Sequence, residues 1–142
     1  MIRNPVTLTG AITLSLNGQV VHHQPNLIVT AGQHWMAQRM IGEGNPMGYI
    51  AMGTGTETPR GTDTALASEL FRKEVKGGNG VASNNQVTYT VELAEGEATG
   101  GITEAGLFDS SKGGIMLART TFEVINKGDT HTLKMDWVIT IT

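Results

Sequence analysis

Residues 47–70, MGYIAMGTGTETPRGTDTALASEL, set an apolar run ahead of Gly53-Thr54-Gly55 and a row of helix formers behind it. That is the order in which backbone N–H groups cradle a phosphate, so the first question is whether this loop holds a nucleotide. The dinucleotide fingerprint needs a third glycine three residues after the second, where helix and strand pack closely, and that position is Thr58, followed by Pro59. The Walker loop needs a lysine to reach the terminal phosphates, and no lysine occurs before Lys73. Neither phosphate pattern is met, and the two glycines are expected to turn the chain between a buried strand and a helix.

The other groups with chemical potential are dispersed. His22 and His23 are adjacent on a strand-like stretch and so point to opposite faces, which prevents joint chelation. His34 and His131 lack the i, i+4 carboxylate or histidine partner of a helical zinc motif, and the absence of cysteine removes thiolate ligands, nucleophiles and disulfides together. Glu69, Glu104, Asp109 and Asp136 are the acids that a glycosidase pair would draw on, about 5–9 Å apart. An aromatic content of 5% gives such a cleft little to line it. Ser68, Ser83, Ser110 and Ser111 stand in no G-x-S-x-G elbow. The expectation is a protein that is not an enzyme and holds no cofactor and no metal.

Glu104 calls for a different reading. It lies in ITEAGLFD among Ile102, Ala105, Leu107 and Phe108, and a carboxylate in such a row needs a partner, for which Arg72 and Arg119 are the candidates.

Composition sets the frame that must position these groups. A chain of 142 residues is one domain's worth. A net charge of −3 provides no positive field for nucleic acid, and no apolar stretch approaches the ~18 residues of a membrane span. Charged residues are 16%, and glycine supplies 19 positions, so threonine, serine, asparagine and glycine must cover much of the surface. Threonine suits exposed strand faces and glycine suits tight reversals, which points to a β-rich domain. A weakly charged surface also loses little on packing against copies of itself.

Along the chain, Val6, Leu8, Ile12, Leu14 and Leu16 alternate with Thr7, Thr9, Thr13 and Ser15, with Gly10 marking a bulge or a close approach. Asn17-Gly18 is a hairpin turn, and residues 1–24 read as an amino-terminal hairpin. A short amphipathic helix follows, with Thr30 and Gln33 spaced as a capping box, Met36/Met40 and Ala37/Ile41 one turn apart, and Gly42 and Gly44 ending it. YIAM is a buried strand. A second helix is expected from Thr64 to Arg72, capped by Thr62 or Asp63, with Leu66, Leu70 and Phe71 turned inward. The remainder is strand and turn, most regular where Leu133, Met135, Trp137, Ile139 and Ile141 alternate with polar residues. The fold class expected is mainly β, a single antiparallel β-sandwich with two short helices.

Taken in order, YIAMGTGTETP, GTDTALASELFRKEV, ITEAGLFD, GGIMLARTTF and LKMDWVITIT resemble a group of tailed-bacteriophage virion proteins related to the amino-terminal domain of tail-collar fibre proteins. The resemblance runs from about Asn26 to Thr142, so the hairpin of residues 1–24 is an addition to it. It implies that Gly53, Gly55, Thr64, Ala65, Leu66, Glu69, Leu70, Arg72, Glu104, Ala105, Gly106, Leu107 and Phe108 specify the fold and that none is catalytic. Fibre proteins continue into a trimeric shaft, whereas this sequence stops after its last strand. The resemblance therefore implies a shaftless structural protein of the virion, assembled in the host cytoplasm. The first expectation is an accessory capsid decoration or cement protein, a homotrimer bound to the major capsid protein, and the alternative is a tail or baseplate component that seats a fibre. Ile2, Arg3, Asn4 and Pro5 are candidate contacts to a neighbouring subunit, against the plainer reading of an edge strand of the chain's own sandwich. A carbohydrate-binding module is disfavoured because Trp35, Trp137, Tyr49 and Tyr89 are the only large amphipathic aromatics, and Trp137 and Tyr89 belong to core rows.

Overall fold

The computed structural model describes residues 5–142, which form two five-stranded antiparallel sheets packed face to face. One sheet contains β1 (Leu8–Leu16), β2 (Gln19–Pro25), β6 (Val81–Ser83), β7 (Gln86–Leu93) and β10 (Leu133–Ile141), in the order β2-β1-β10-β7-β6. The other contains β3 (Leu27–Ile28), β4 (Tyr49–Gly53), β5 (Glu69–Glu74), β8 (Gly100–Phe108) and β9 (Met116–Lys127), in the order β3-β9-β8-β4-β5. The sandwich expected from alternation is therefore present.

The clearest alternating stretches lie centrally in the first sheet. β10 pairs with β1 from Leu8↔Ile141 to Leu16↔Leu133 and with β7 on its other side. The amino-terminal hairpin is thus built into the sheet, with β1 between β2 and β10. Its turn has φ of 49° at Asn17 and 83° at Gly18, the left-handed pair that a two-residue reversal requires. Inward residues of both sheets meet in one core, with Ile12, Leu14, Val91, Met135 and Trp137 facing Ile50, Met52, Ile102 and Leu107, each at most 1% exposed. Gly10 marks a close approach: a Cβ there would strike the Asn26 carboxamide. That carboxamide accepts a hydrogen bond from Trp137 Nε1 at 2.6 Å.

Two expectations are corrected. The helix α1 (Thr30–Met40) forms, but its N-cap is Val29, which makes no side-chain cap, so the Thr30/Gln33 capping box is absent. Instead the Thr30 N–H donates to the Gly61 carbonyl at 2.9 Å. The second helix is also absent, and beyond α1 the described residues hold only a 3-10 turn at Lys76–Gly78. Residues 54–68 are an irregular loop and Glu69–Glu74 is the edge strand β5, paired with β4 from Tyr49↔Glu74 to Gly53↔Glu69. The helix propensity of Leu, Glu, Arg and Lys is a few tenths of a kcal/mol per residue. Here it yields to a ladder that would otherwise leave the buried strand β4 with an unpaired side. Leu70, expected inward, is 43% exposed on that edge, and Thr64 and Ala65 are exposed in the loop.

Candidate functional site

The fifteen-residue loop of residues 54–68 lies over the outer face of the second sheet, and Glu104 on β8 fastens it there. Glu104 is fully buried. Its Oε2 accepts from the backbone N–H of Gly55 at 2.7 Å and of Ser68 at 2.8 Å, and its Oε1 from that of Ala67 at 2.9 Å. Arg119 on β9 completes the set, donating to Oε1 from Nη2 at 3.0 Å and from Nε at 3.3 Å. The remaining guanidinium donors reach Asp63 Oδ2 at 3.0 Å and the Glu57 carbonyl at 2.9 Å. Thr103 Oγ1 donates to the Gly55 carbonyl at 2.7 Å. One carboxylate and one guanidinium thus tie both ends and the middle of the loop to neighbouring strands.

The loop does present backbone N–H groups to an anion, and the anion is the chain's own Glu104. Gly53 and Gly55 do not turn the chain through left-handed conformations, since neither has a positive φ. They are needed for closeness: a Cβ on Gly53 would strike the Ser68 carbonyl, and one on Gly55 would strike the Glu104 carboxylate.

The other motif residues meet on the same face. Leu66 packs with Val29, Ala51, Phe108 and Met116 in a second apolar cluster outside the main core. Gly106 leaves room for it, because a Cβ there would stand 2.7 Å from Phe108 Cε2 and 3.0 Å from Leu66 Cδ2. Arg72, now on a strand, places its guanidinium 3.8 Å over the Phe108 ring and donates to the Ser110 and Gly113 carbonyls at 2.8 Å each. Glu69 accepts from Arg72 through both oxygens, at 2.7 and 3.1 Å. Ala105 and Leu107 turn the other way, into the main core. Of the two candidate partners of Glu104, Arg119 is the one that pairs, and Arg72 takes Glu69.

The remaining candidates bond to neighbouring groups of the chain or stand exposed. Asp109 closes the 110–115 turn by accepting from Ser110 Oγ and Ile115 N, and Asp136 accepts from Thr90. His22 bonds the Glu123 carbonyl, His23 bonds Thr13, His131 accepts from Gly128 N, and His34 is exposed. Ser68 Oγ accepts from Thr54, while Ser83 and Ser111 are exposed. Among the described residues no three His, Asp or Glu side chains stand close enough to share a metal ion. A shallow depression of about 560 Å³ beside the loop is lined by Gln24, Thr56, Thr103 and residues 121–124. Its one aromatic, Phe122, packs at a tilt against His22, with ring centroids 5.7 Å apart. Of the amino-terminal candidates, Ile2, Arg3 and Asn4 lie outside the described residues. Pro5 is exposed, two residues before Thr7 and Thr142 exchange backbone hydrogen bonds.

The Glu104 carboxyl is held below the usual carboxylate range. Burial, the largest single influence, pushes its pKa up, but the Ser68, Ala67 and Gly55 amides and the Arg119 guanidinium together outweigh it. A depressed folded-state value means that the group stabilises the fold above the unfolded pKa of about 4.3, and that this stabilisation is lost as pH falls through the folded value. Urea midpoints measured from about pH 7 down to pH 3 should therefore fall at the acid end, and Glu104→Gln should flatten that fall. Some slope should remain, because Glu97 is also held low, chiefly by its bond from Lys73.

Comparison with family models, with curated proteins and with solved structures finds no match to this chain.

Proposed function

We propose that this chain is a non-enzymatic structural protein of a tailed-bacteriophage particle, acting as an accessory capsid decoration or cement protein through contacts with the major capsid protein and with copies of itself in a homotrimer. The sequence resemblance suggests the class, and one observation supports a structural role for the motif. The motif residues Gly53, Gly55, Leu66, Glu69, Arg72, Glu104, Gly106 and Phe108 converge on fastening a loop and its edge strand to a sheet. The Glu104 carboxylate and the Arg119 guanidinium are both engaged by groups of the chain itself. Such a protein works by its faces. A rigid, weakly charged sandwich gains its hold on a particle from many modest contacts repeated by symmetry.

Quantitative mass spectrometry of purified particles tests the reading. Hundreds of copies per particle are expected for a capsid location. About a dozen or fewer would move the chain to the tail or baseplate, and absence from the particle would end the virion reading.

A further inference from the structure

At the end of the sandwich beside α1, the described residues leave the first sheet partly uncovered. A hollow of about 290 Å³ there is walled by Trp35, Met36 and Met40 of the helix and by Val87, Ile139 and Ile141 of the strands. Leu8 and Met36 connect it to a second hollow of about 380 Å³ that reaches Val6. At the lip the helix ends in two apolar side chains turned to solvent, Met40 at 84% and Ile41 at 72% exposure. A knob and a hollow thus lie side by side, and large exposed apolar patches of this kind mark interaction surfaces.

The charges on the patch indicate what covers it. Arg39 is the sole ionised side chain lining either hollow. It donates to the Glu43 and Gly44 carbonyls at 3.4 and 2.8 Å and meets no carboxylate. The exposed carboxylate of Glu43 has no cationic partner among the described residues either. Among the described residues the patch thus combines an unpaired cation, an unpaired anion, a knob and a hollow, a set complementary to a second copy of itself. A rotation axis passing the end of α1 would bring each knob to the next hollow and each Glu43 to the next Arg39.

We propose that copies of this chain join through this patch, with Met40 and Ile41 of one copy seated in the hollow of the next and Glu43 set against the neighbour's Arg39. The proposal rests on the self-assembling structural role above and names the face that performs it; three copies around the axis fit the homotrimer.

Sedimentation velocity between about 1 and 100 µM tests it, since that range brackets micromolar self-association. The wild type should sediment as a trimer. Met40→Glu and Glu43→Arg should each weaken association at least about ten-fold while circular dichroism stays native, because both side chains are exposed. Arg39→Glu combined with Glu43→Arg should restore association by exchanging the charges. Val20→Glu, at a position 64% exposed on the edge strand β2 and opposite Ser15, at the other end of β1 from Leu8, should behave as wild type. A wild type that stays monomeric throughout overturns the proposal, as does a Met40→Glu variant of unchanged mass. If either occurs while particles still carry the chain, the face is wrong and the structural role stands; if the chain is absent from particles, both fail.

Discussion

Glu104→Ala should remove about 3–5 kcal/mol of stability, the cost of taking one partner out of a buried ion pair. Arg119, 2% exposed, would keep only the exposed-side Asp63 and the Glu57 carbonyl. The N–H groups of Gly55, Ala67 and Ser68 would lose their acceptor at the same time. Domains of this size are stable by about 5–15 kcal/mol, so the variant should be folded but close to its limit. Its urea midpoint should drop steeply, and limited proteolysis should cut first within residues 54–68. Glu104→Gln should recover only part of the loss, because a carboxamide presents one acceptor oxygen where five donors converge. Adding Arg119→Met to Glu104→Ala should cost less than the sum of the two single changes, since the second removes the charge that the first strands. Three amides stay unpaired in the double variant, so wild-type stability should not return. An additive double mutant, or Glu104→Ala with an unchanged midpoint, would mean that the loop is held by Leu66 and its apolar neighbours.

How much of this was legible in the sequence depends on whether the signal is local. The strands β1, β7 and β10 announce themselves because a sheet with one buried face writes a period of two, and Trp137 and Tyr89 fall in the core rows where that period puts them. Glu104 stands out as a carboxylate in an apolar row. What fastens to it does not stand out, because three of its donors are backbone N–H groups, which every residue but proline carries. The segment from Thr64 to Arg72 misleads for the opposite reason. Its composition favours a helix, while the facts that make it loop and strand are the open side of β4 and the Phe108 ring under Arg72, both distant in sequence. Met40 and Ile41 mislead in a third way. Their spacing from Met36 and Ala37 looks like a core-facing stripe, yet the helix buries Gly32 and Trp35 and turns Met40 and Ile41 outward.

That helix seat leads to the second large effect, in which Gly32→Ala should destabilise the protein although alanine is the better helix former. In a free helix the exchange would gain up to about 1 kcal/mol. Here an ideal Cβ on Gly32 would lie 2.6 Å from the Leu117 carbonyl oxygen and 2.8 Å from Leu117 Cα. Those are backbone atoms of β9, which is held by β8 on one side and by β3 on the other, so the strand cannot yield. The helix must lift instead. Overpacking of this kind costs about 1–3 kcal/mol and sometimes more, which exceeds the propensity gain, so the net effect should be a loss. Ala37→Gly, at an exposed position on the same helix, provides the contrast: it should cost about 1 kcal/mol with the seat undisturbed. The two variants should differ in Trp35 fluorescence as well, because Trp35 sits one turn from Gly32 and donates to the Asn45 carbonyl at 2.7 Å, a bond that a lifted helix stretches. Lifting also carries Met36 and Met40 away from Ile139 and Ile141, so Gly32→Ala should weaken self-association where Ala37→Gly should not. A Gly32→Ala protein as stable as the wild type would show that β9 gives way after all, and that the closeness of helix and strand is not what holds α1 in place.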